Sequence, residues 1–284
     1  MKKYFFIVTS FLLLTLAFIY VGCKKDKEDK DQRAAQDNSI AENAFNDVFK
    51  QVDDAAKKTA DAGGKEVLQL DTIGCGTITI TPFDTGTWPK TFTVDFGSTN
   101  CLCSDGRLRR GKVIVNLSNK YRDSATVIAV ALDQYYVNDY HIEGTKTITN
   151  LGHVGTFGTG HHLKYSVIVS NGKVTPPTGN PIFWNSTRTR EWIEGESTTW
   201  PNWMDDVYLI DGTANGTDAN GNTFSVAITA PLRIALSCRW IESGTVEITP
   251  AGLATRTVDF GNGTVCDNEA SVTINGVTYN FVMP

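Results

Sequence analysis

From Val67 onward the chain alternates apolar and polar residues with a period of two, and few folds can use such a pattern. Thr77-Ile78-Thr79-Ile80 is the plainest run. Thr91 to Phe96, Lys112 to Leu117, Lys146 to Thr149, Tyr165 to Val169, Thr245 to Ile248 and Ser271 to Ile274 repeat it. Successive side chains on a strand point to opposite faces, so each run offers one face to a core and one to water. Asn171-Gly172, Asn215-Gly216, Asn220-Gly221 and Asn275-Gly276 punctuate the region. Both residue types tolerate positive φ, which two-residue hairpins require. Short strands joined by hairpins predict a mostly β fold, an antiparallel hairpin-rich sheet or sandwich, over residues 67–284.

The β region contains an internal repeat. CGTITITP begins at Cys75 and is followed by TFTVDFGSTNC, ending at Cys101; CRWIESGTVEITP begins at Cys238 and is followed by TRTVDFGNGTVC, ending at Cys266. Related units are therefore expected at 75–118 and 238–282, each stapled by its own disulfide. Cys238 is expected to pair with Cys266, and Cys75 with Cys101 or Cys103. Closing loops of this length typically stabilises by about 3 kcal/mol. Between the units, Ile142-Glu143-Gly144, Ile193-Glu194-Gly195 and Ile210-Asp211-Gly212 repeat an apolar-acid-glycine step that suggests bulges or bends.

The N-terminal part reads differently. Met1-Lys2-Lys3 is basic, Tyr4 to Val21 is uncharged and apolar, and Gly22-Cys23 ends the run. This order describes a secretory signal over residues 1–22, to be set aside from the fold. Gly22-Cys23 resembles the lipobox of bacterial lipoproteins, although Tyr20 and Val21 stand where Leu and a small residue are usual. The resemblance implies a lipid on the Cys23 thiol and a mature chain that begins there, with the membrane as partner through that anchor. Lys24 to Asp31, KKDKEDKD, cannot bury anything and reads as part of a charged tether over 23–38. It is similar to the surface-export signal of lipoproteins of the Bacteroidota. Ser39 with Glu42 forms a capping-box pattern, and Ile40, Ala44, Val48 and Val52, flanked by Phe45 and Phe49, form an apolar stripe. One short helix is expected over 39–63, packed on its own domain.

Wider likeness rests on Ala41-Glu42 to Asp47-Val48, Phe92 to Gly97 with Cys103-Ser104-Asp105-Gly106-Arg107, Tyr136-Val137-Asn138 with Glu143-Gly144-Thr145, and Val258 to Gly263 with Cys266-Asp267-Asn268. With these the chain resembles surface lipoproteins of the Bacteroidota, a family that carries no assigned activity. The resemblance implies an outer-membrane, lipid-anchored, surface-exposed location. Asp71-Thr72-Ile73 and Asp123-Ser124-Ala125 resemble the Asp-Ser/Thr-apolar O-glycan acceptor of such envelope proteins, making Thr72 and Ser124 candidate glycosylation sites.

Removing residues 1–22 takes away two lysines and leaves 24 basic against 31 acidic residues, a net charge of −7. No basic stripe exists for nucleic acid. The His161-His162 pair lacks zinc spacing and reads as a loop pair, so no metal or other cofactor is expected. Asp218 to Asn222 resembles the start of a calcium loop but meets Thr229 where the closing acid belongs, so a hairpin turn explains it better. Neither a G-x-S-x-G elbow nor a Ser-His-Asp order occurs, and Glu191, Glu194, Glu196, Asp205 and Asp206 read as solvated surface. Trp184 and Trp192 read as core. Trp200 and Trp203 sit in a polar stretch and are the candidate ligand-binding residues. The expectation is a non-enzymatic envelope protein that binds an extracellular glycan or protein. The alternative is a structural or assembly component of the outer membrane surface with no small ligand.

Overall fold

The computed structural model describes residues 29–61, 71–73, 75–82, 84, 86–156, 159–198, 203–263 and 265–283. Cys23 and the first part of the tether, residues 23–28, lie outside them. Among the described residues of the unit Asp31–Pro284, one α-helix is followed by strands and a single 3-10 turn. Helix α1 spans Arg33–Asp61. The strands are β1 (Asp71–Ile73), β2 (Gly76–Thr81), β3 (Lys90–Asp95), β4 (Cys101–Leu102), β5 (Leu108–Leu117), β6 (Val127–Val137), β7 (Tyr140–Thr156) and β8 (Thr159–Thr175). They continue with β9 (Ile182–Glu194), β10 (Val207–Thr217), β11 (Thr223–Ala235), β12 (Ser243–Pro250), β13 (Arg256–Asn262), β14 (Glu269–Ile274) and β15 (Val277–Val282).

All the described strands belong to one antiparallel sheet. Each pairs with its neighbour in chain order, except that two-residue β4 pairs with β5 beyond the end of β3. The sheet curls around α1, which touches β1, β3, β5, β8, β9 and β12. No residue from Arg33 to Ala56 is exposed. The helix is therefore the core of the sheet rather than a lid on one face.

The helix begins six residues before the expected Ser39. Asp31 supplies the cap: its Oδ1 accepts the Arg33 amide at 2.8 Å. Residues 33–38, expected in the tether, are helical, and Ser39 is buried with its Oγ donating to the Ala35 carbonyl at 3.0 Å. A mid-helix serine bonded one turn back is satisfied without capping anything. Asn275-Gly276 makes the expected two-residue turn, both residues at positive φ. Asp218 closes the β10–β11 turn by accepting the Asn220 and Asn222 amides, each at 2.9 Å. Asn171-Gly172 and Asn215-Gly216 instead lie inside β8 and β10. The first is a bulge. The second lets the Phe224 ring close over the strand, for a Cβ on Gly216 would stand 2.7 Å from it. Gly144 and Gly212 mark bulges in β7 and β10, whereas Gly195 sits in the turn after β9.

The two copies of Val-Asp-Phe-Gly share one local device. Asp95 Oδ1 accepts the Gly97 amide at 2.8 Å, and Asp259 Oδ1 accepts the Gly261 amide at 2.8 Å. Both glycines hold positive φ and both phenylalanines, Phe96 and Phe260, are buried. The motif thus bends the chain while pinning an aromatic ring inside, ending β3 in the first copy and lying within β13 in the second.

Outward positions of the sheet are mostly polar, with Val127, Leu151, Ile168 and Phe183 among the exposed exceptions. One continuous row runs Thr91, Asn116, Ala129, Thr147, Ile168, Thr187, Thr213, Ala227, Glu247, Thr257 and Thr273 from β3 to β14. The inward face carries apolar residues together with Arg109, Lys146, Arg188 and Arg190, all buried. Helix α1 answers with buried Asp37, Glu42, Asp47 and Asp53.

Asp47 is the most heavily bonded of these. It pairs with Arg107 at 2.6 Å and with Arg109, and its Oδ2 accepts the Tyr135 hydroxyl at 2.7 Å. Asp105 joins from the β4–β5 turn, accepting Arg109 at 2.6 Å. Burial alone would push the Asp47 carboxyl up, but the Arg109 and Arg107 guanidinium groups hold it well below the usual carboxylate range. A bulge makes the Tyr135 contact possible. Gln134 takes φ 46°, the inward parity of β6 switches from Val130 to Tyr135, and Gly111 opposite has no room for a side chain, since a Cβ there would stand 1.8 Å from the Gln134 carbonyl oxygen.

Replacing Asp47 with Ala leaves two guanidinium groups buried without their counter-charge and is expected to cost about 3–5 kcal/mol of stability, measured by urea unfolding. The Asp47 contribution is complete above the ordinary carboxyl value of 3.8 and is lost as pH falls toward its lower folded value. The wild-type chain should therefore lose stability more steeply than Asp47→Ala as the pH is lowered below about 4.

Candidate functional site

Three features bear on chemistry: the sulfur groups, the tryptophan stretch and a cleft at one edge of the sheet. Cys238 and Cys266 face each other with Cα atoms 5.5 Å apart, in reach of a disulfide. Cys75 faces both Cys101 and Cys103, with Cα separations of 5.9 and 4.7 Å. The three sulfurs lie within 4.8 Å of one another, and Cys103 is the buried one. Since Cys75 can bond one partner only, one thiol of the group stays reduced whichever bridge forms. Among the described residues this is also the one group of three metal-ligating side chains around a common point. Thiolates favour soft ions, but an oxidising compartment commits two of the three to a disulfide.

Trp200 lies outside the described residues. Trp203 opens a single 3-10 turn, Trp203–Asp205, before β10. Trp184 and Trp192 are both buried, as their places in β9 expect: Trp184 packs on α1, its Nε1 donating to Asn38 Oδ1 at 3.0 Å, and Trp192 stacks on Tyr208, its Nε1 donating to Asp206 Oδ1 at 3.1 Å. Asp206 is thereby an exception to the solvated acidic cluster: it is buried, in a place where an indole needs an acceptor. Glu196 is half-buried and bonds His153 at 2.5 Å, while His153 stacks on His161 with ring centroids 4.5 Å apart. His161 and His162 therefore belong to β8 and not to a loop.

Thr72 is in β1 opposite Thr77. Ser124 is exposed in the turn between β5 and β6.

The cleft lies where β13, β14 and β15 end the sheet. Its volume is about 530 Å³, inside the range of about 300–1,000 Å³ typical of ligand sites. Asp259 and Phe260 of the second Val-Asp-Phe-Gly line it, together with Gly261, Asn262, Gly263 and Val265. Val265 and Val282 line it and are 67% and 66% exposed, unusual for valines beside Phe281. Exposed Asp259, Asp267 and Glu269 give the rim a negative charge. Among the described residues β15 pairs only with β14, so its outer edge presents unpaired backbone groups to the same region. The sequence signal for this site was the second repeat, whose aspartate and phenylalanine read only as strand pattern.

Non-reducing peptide mapping of the oxidised chain should find Cys238 joined to Cys266 and one alkylatable thiol among Cys75, Cys101 and Cys103. Two free thiols in that group, or a free Cys238, would contradict the geometry.

Comparison with protein-family models, with curated proteins and with solved structures gave no match.

Proposed function

We propose that the chain is a lipid-anchored protein of the outer membrane surface that binds an extracellular protein or glycan without catalysing a reaction, and that the cleft beside β15 is where it binds. The single observation that carries this reading is the conjunction of exposed valines, an acidic rim and an unpaired strand edge in one concavity. An extended segment can add to a free strand edge through its backbone, with side-chain pockets supplying selectivity. The acidic rim favours a basic partner and raises the association rate with it. The lipobox-like Gly22-Cys23 and the charged run after it support the anchor and its outward display.

The non-catalytic part of the reading rests on where perturbed groups lie. Asp47, Tyr121, Tyr135, Lys146 and Tyr208, whose titration the surroundings shift strongly, lie in the interior with α1, away from the cleft; Glu242, whose carboxyl burial pushes up, lines the cleft and is paired with Arg233 at 3.3 Å. Enzymes place such groups where substrate reaches them. Here they hold the fold together.

Two measurements test the proposal. Cys23→Ser should move the chain from the membrane to the soluble fraction after detergent-free lysis; a variant still bound to membrane removes the anchor. The Cys23→Ser chain, screened against glycans and extracellular proteins, should yield a partner whose affinity drops about ten-fold in Asp267→Lys/Glu269→Lys and depends on salt. Binding indifferent to both changes places the ligand elsewhere.

A further inference from the structure

A second site lies inside the sheet and is independent of the cleft. Between α1 and β9 is a cavity of about 20 Å³, room for one water-sized species, lined in part by Glu42, Asn46, Lys146, Ser186, Arg188 and Arg190. Six buried polar atoms of these residues have no hydrogen-bond partner among the described residues: Arg188 Nε and Nη1, Arg190 Nε and Nη2, Asn46 Nδ2 and Ser186 Oγ. Five of the six can only donate. Arg188, Arg190 and Ser186 are each more than nine-tenths buried. Native interiors leave few such groups unsatisfied, and each costs about 1–3 kcal/mol when it stays so.

The charges do not balance locally. Three cations line the cavity against one carboxylate, Glu42, whose Oε2 already accepts Arg188 Nη2 at 2.6 Å. The remaining bonds are local: Lys146 Nζ donates to the Phe45 carbonyl at 2.6 Å, and Arg190 Nη1 donates to Asn46 Oδ1 at 3.3 Å. Asp47 is taken by Arg107, Arg109 and Tyr135, and Asp53 Oδ1 accepts from Tyr121 at 2.5 Å and Tyr208 at 3.2 Å. Arg190 is fixed by stacking over the Phe49 and Tyr208 rings, 3.8 and 4.3 Å from their centroids, so it cannot swing out to solvent. Burial disfavours the charged forms of Lys146 and Arg190, as expected where positive charge lacks a partner.

We propose that this cavity binds one small inorganic anion of chloride size, held by Arg188, Arg190, Asn46 and Ser186. A water molecule offers two lone pairs and no charge, too few for five donor-only atoms. A halide accepts from all sides and offsets one unit of the surplus positive charge. Sulfate, phosphate and organic carboxylates are excluded by volume. With Lys146 neutral the lining still holds two guanidinium groups against one carboxylate, so the site does not depend on its protonation.

The test compares the full mature chain in sodium chloride and in sodium gluconate at equal ionic strength, because gluconate is too large to enter. Chloride should raise Tm by about 3 °C. Ser186→Ala removes one donor whose oxygen has no other partner among the described residues, and should weaken the chloride dependence about five-fold while leaving Tm in gluconate nearly unchanged. General salt effects act on both chains alike, so the difference reports the site. Crystals soaked in bromide should show an anomalous peak within hydrogen-bonding reach of Arg188 Nε and Arg190 Nη2. Equal Tm in the two salts, or an unchanged chloride response in Ser186→Ala, overturns the proposal. A bromide peak without any difference in Tm means an adventitious ion only and overturns it as well.

Discussion

The carboxylate of Asp47 is the contact on which the rest of the architecture turns. It sits in the middle of a buried helix and collects Arg107, Arg109 and Tyr135 from the β4–β5 region and β6. An ion removed from water costs several kcal/mol unless its partners replace hydration in full, so the geometry around Asp47 tolerates little displacement. Shifting α1 by one turn along its axis would break this group. The same shift would separate Glu42 from Arg188, Asn38 from Trp184 and Asp53 from Tyr121 and Tyr208. Apolar packing alone would let a helix slide in a sleeve of valines and isoleucines. The ionic contacts set its register.

This arrangement also explains why the outer surface is so plain. Threonine dominates the outward rows because it suits a strand backbone and tolerates water. The arginines that pair with the helix are all spent inside. A lipid-facing barrel would carry an apolar outer band and polar interior; here the outward row of threonines, with Glu247 among them, meets solvent, and the interior is filled by α1.

Much of the sheet was legible in the sequence, because alternation is a direct image of strand geometry. The antiparallel hairpin order followed from it, as did the burial of Trp184 and Trp192. The helix was legible as a helix from Ala44, Phe45, Val48, Phe49 and Val52, all buried. Its extent and its role were not. Acidic residues on a helix normally face water, and nothing local distinguishes Asp47 or Asp53 from such a surface. The distinguishing signal lay far along the chain in the parity of β9: Trp184, Ser186, Arg188, Arg190 and Trp192 share one face. Two arginines between core tryptophans must point inward, and inward arginines demand acids. The edge cleft was illegible for another reason, since it depends on which strand ends the sheet and on residues after β13 whose path the alternation does not encode. The expected roles of Trp200 and Trp203 stay with the sequence alone.

The order of the chain adds one more consequence. Strand neighbours in the sheet are neighbours in sequence, so each hairpin closes a short loop and forms quickly. The contacts of α1 are different: Lys50 donates to the Leu236 carbonyl and Arg256 to the Asp31 carbonyl, across 186 and 225 residues. The loop-closure entropy of these contacts grows with that separation, and high contact order slows folding. The helix comes first in the chain, and these contacts close only once the chain through β13 is in place. Until the final hairpins arrive, its five acidic side chains from Asp37 to Asp54 keep it soluble, and the half-built sheet shows its arginines to water instead of bare apolar surface. The charges that specify the finished core thus also protect the unfinished one from sticking to itself.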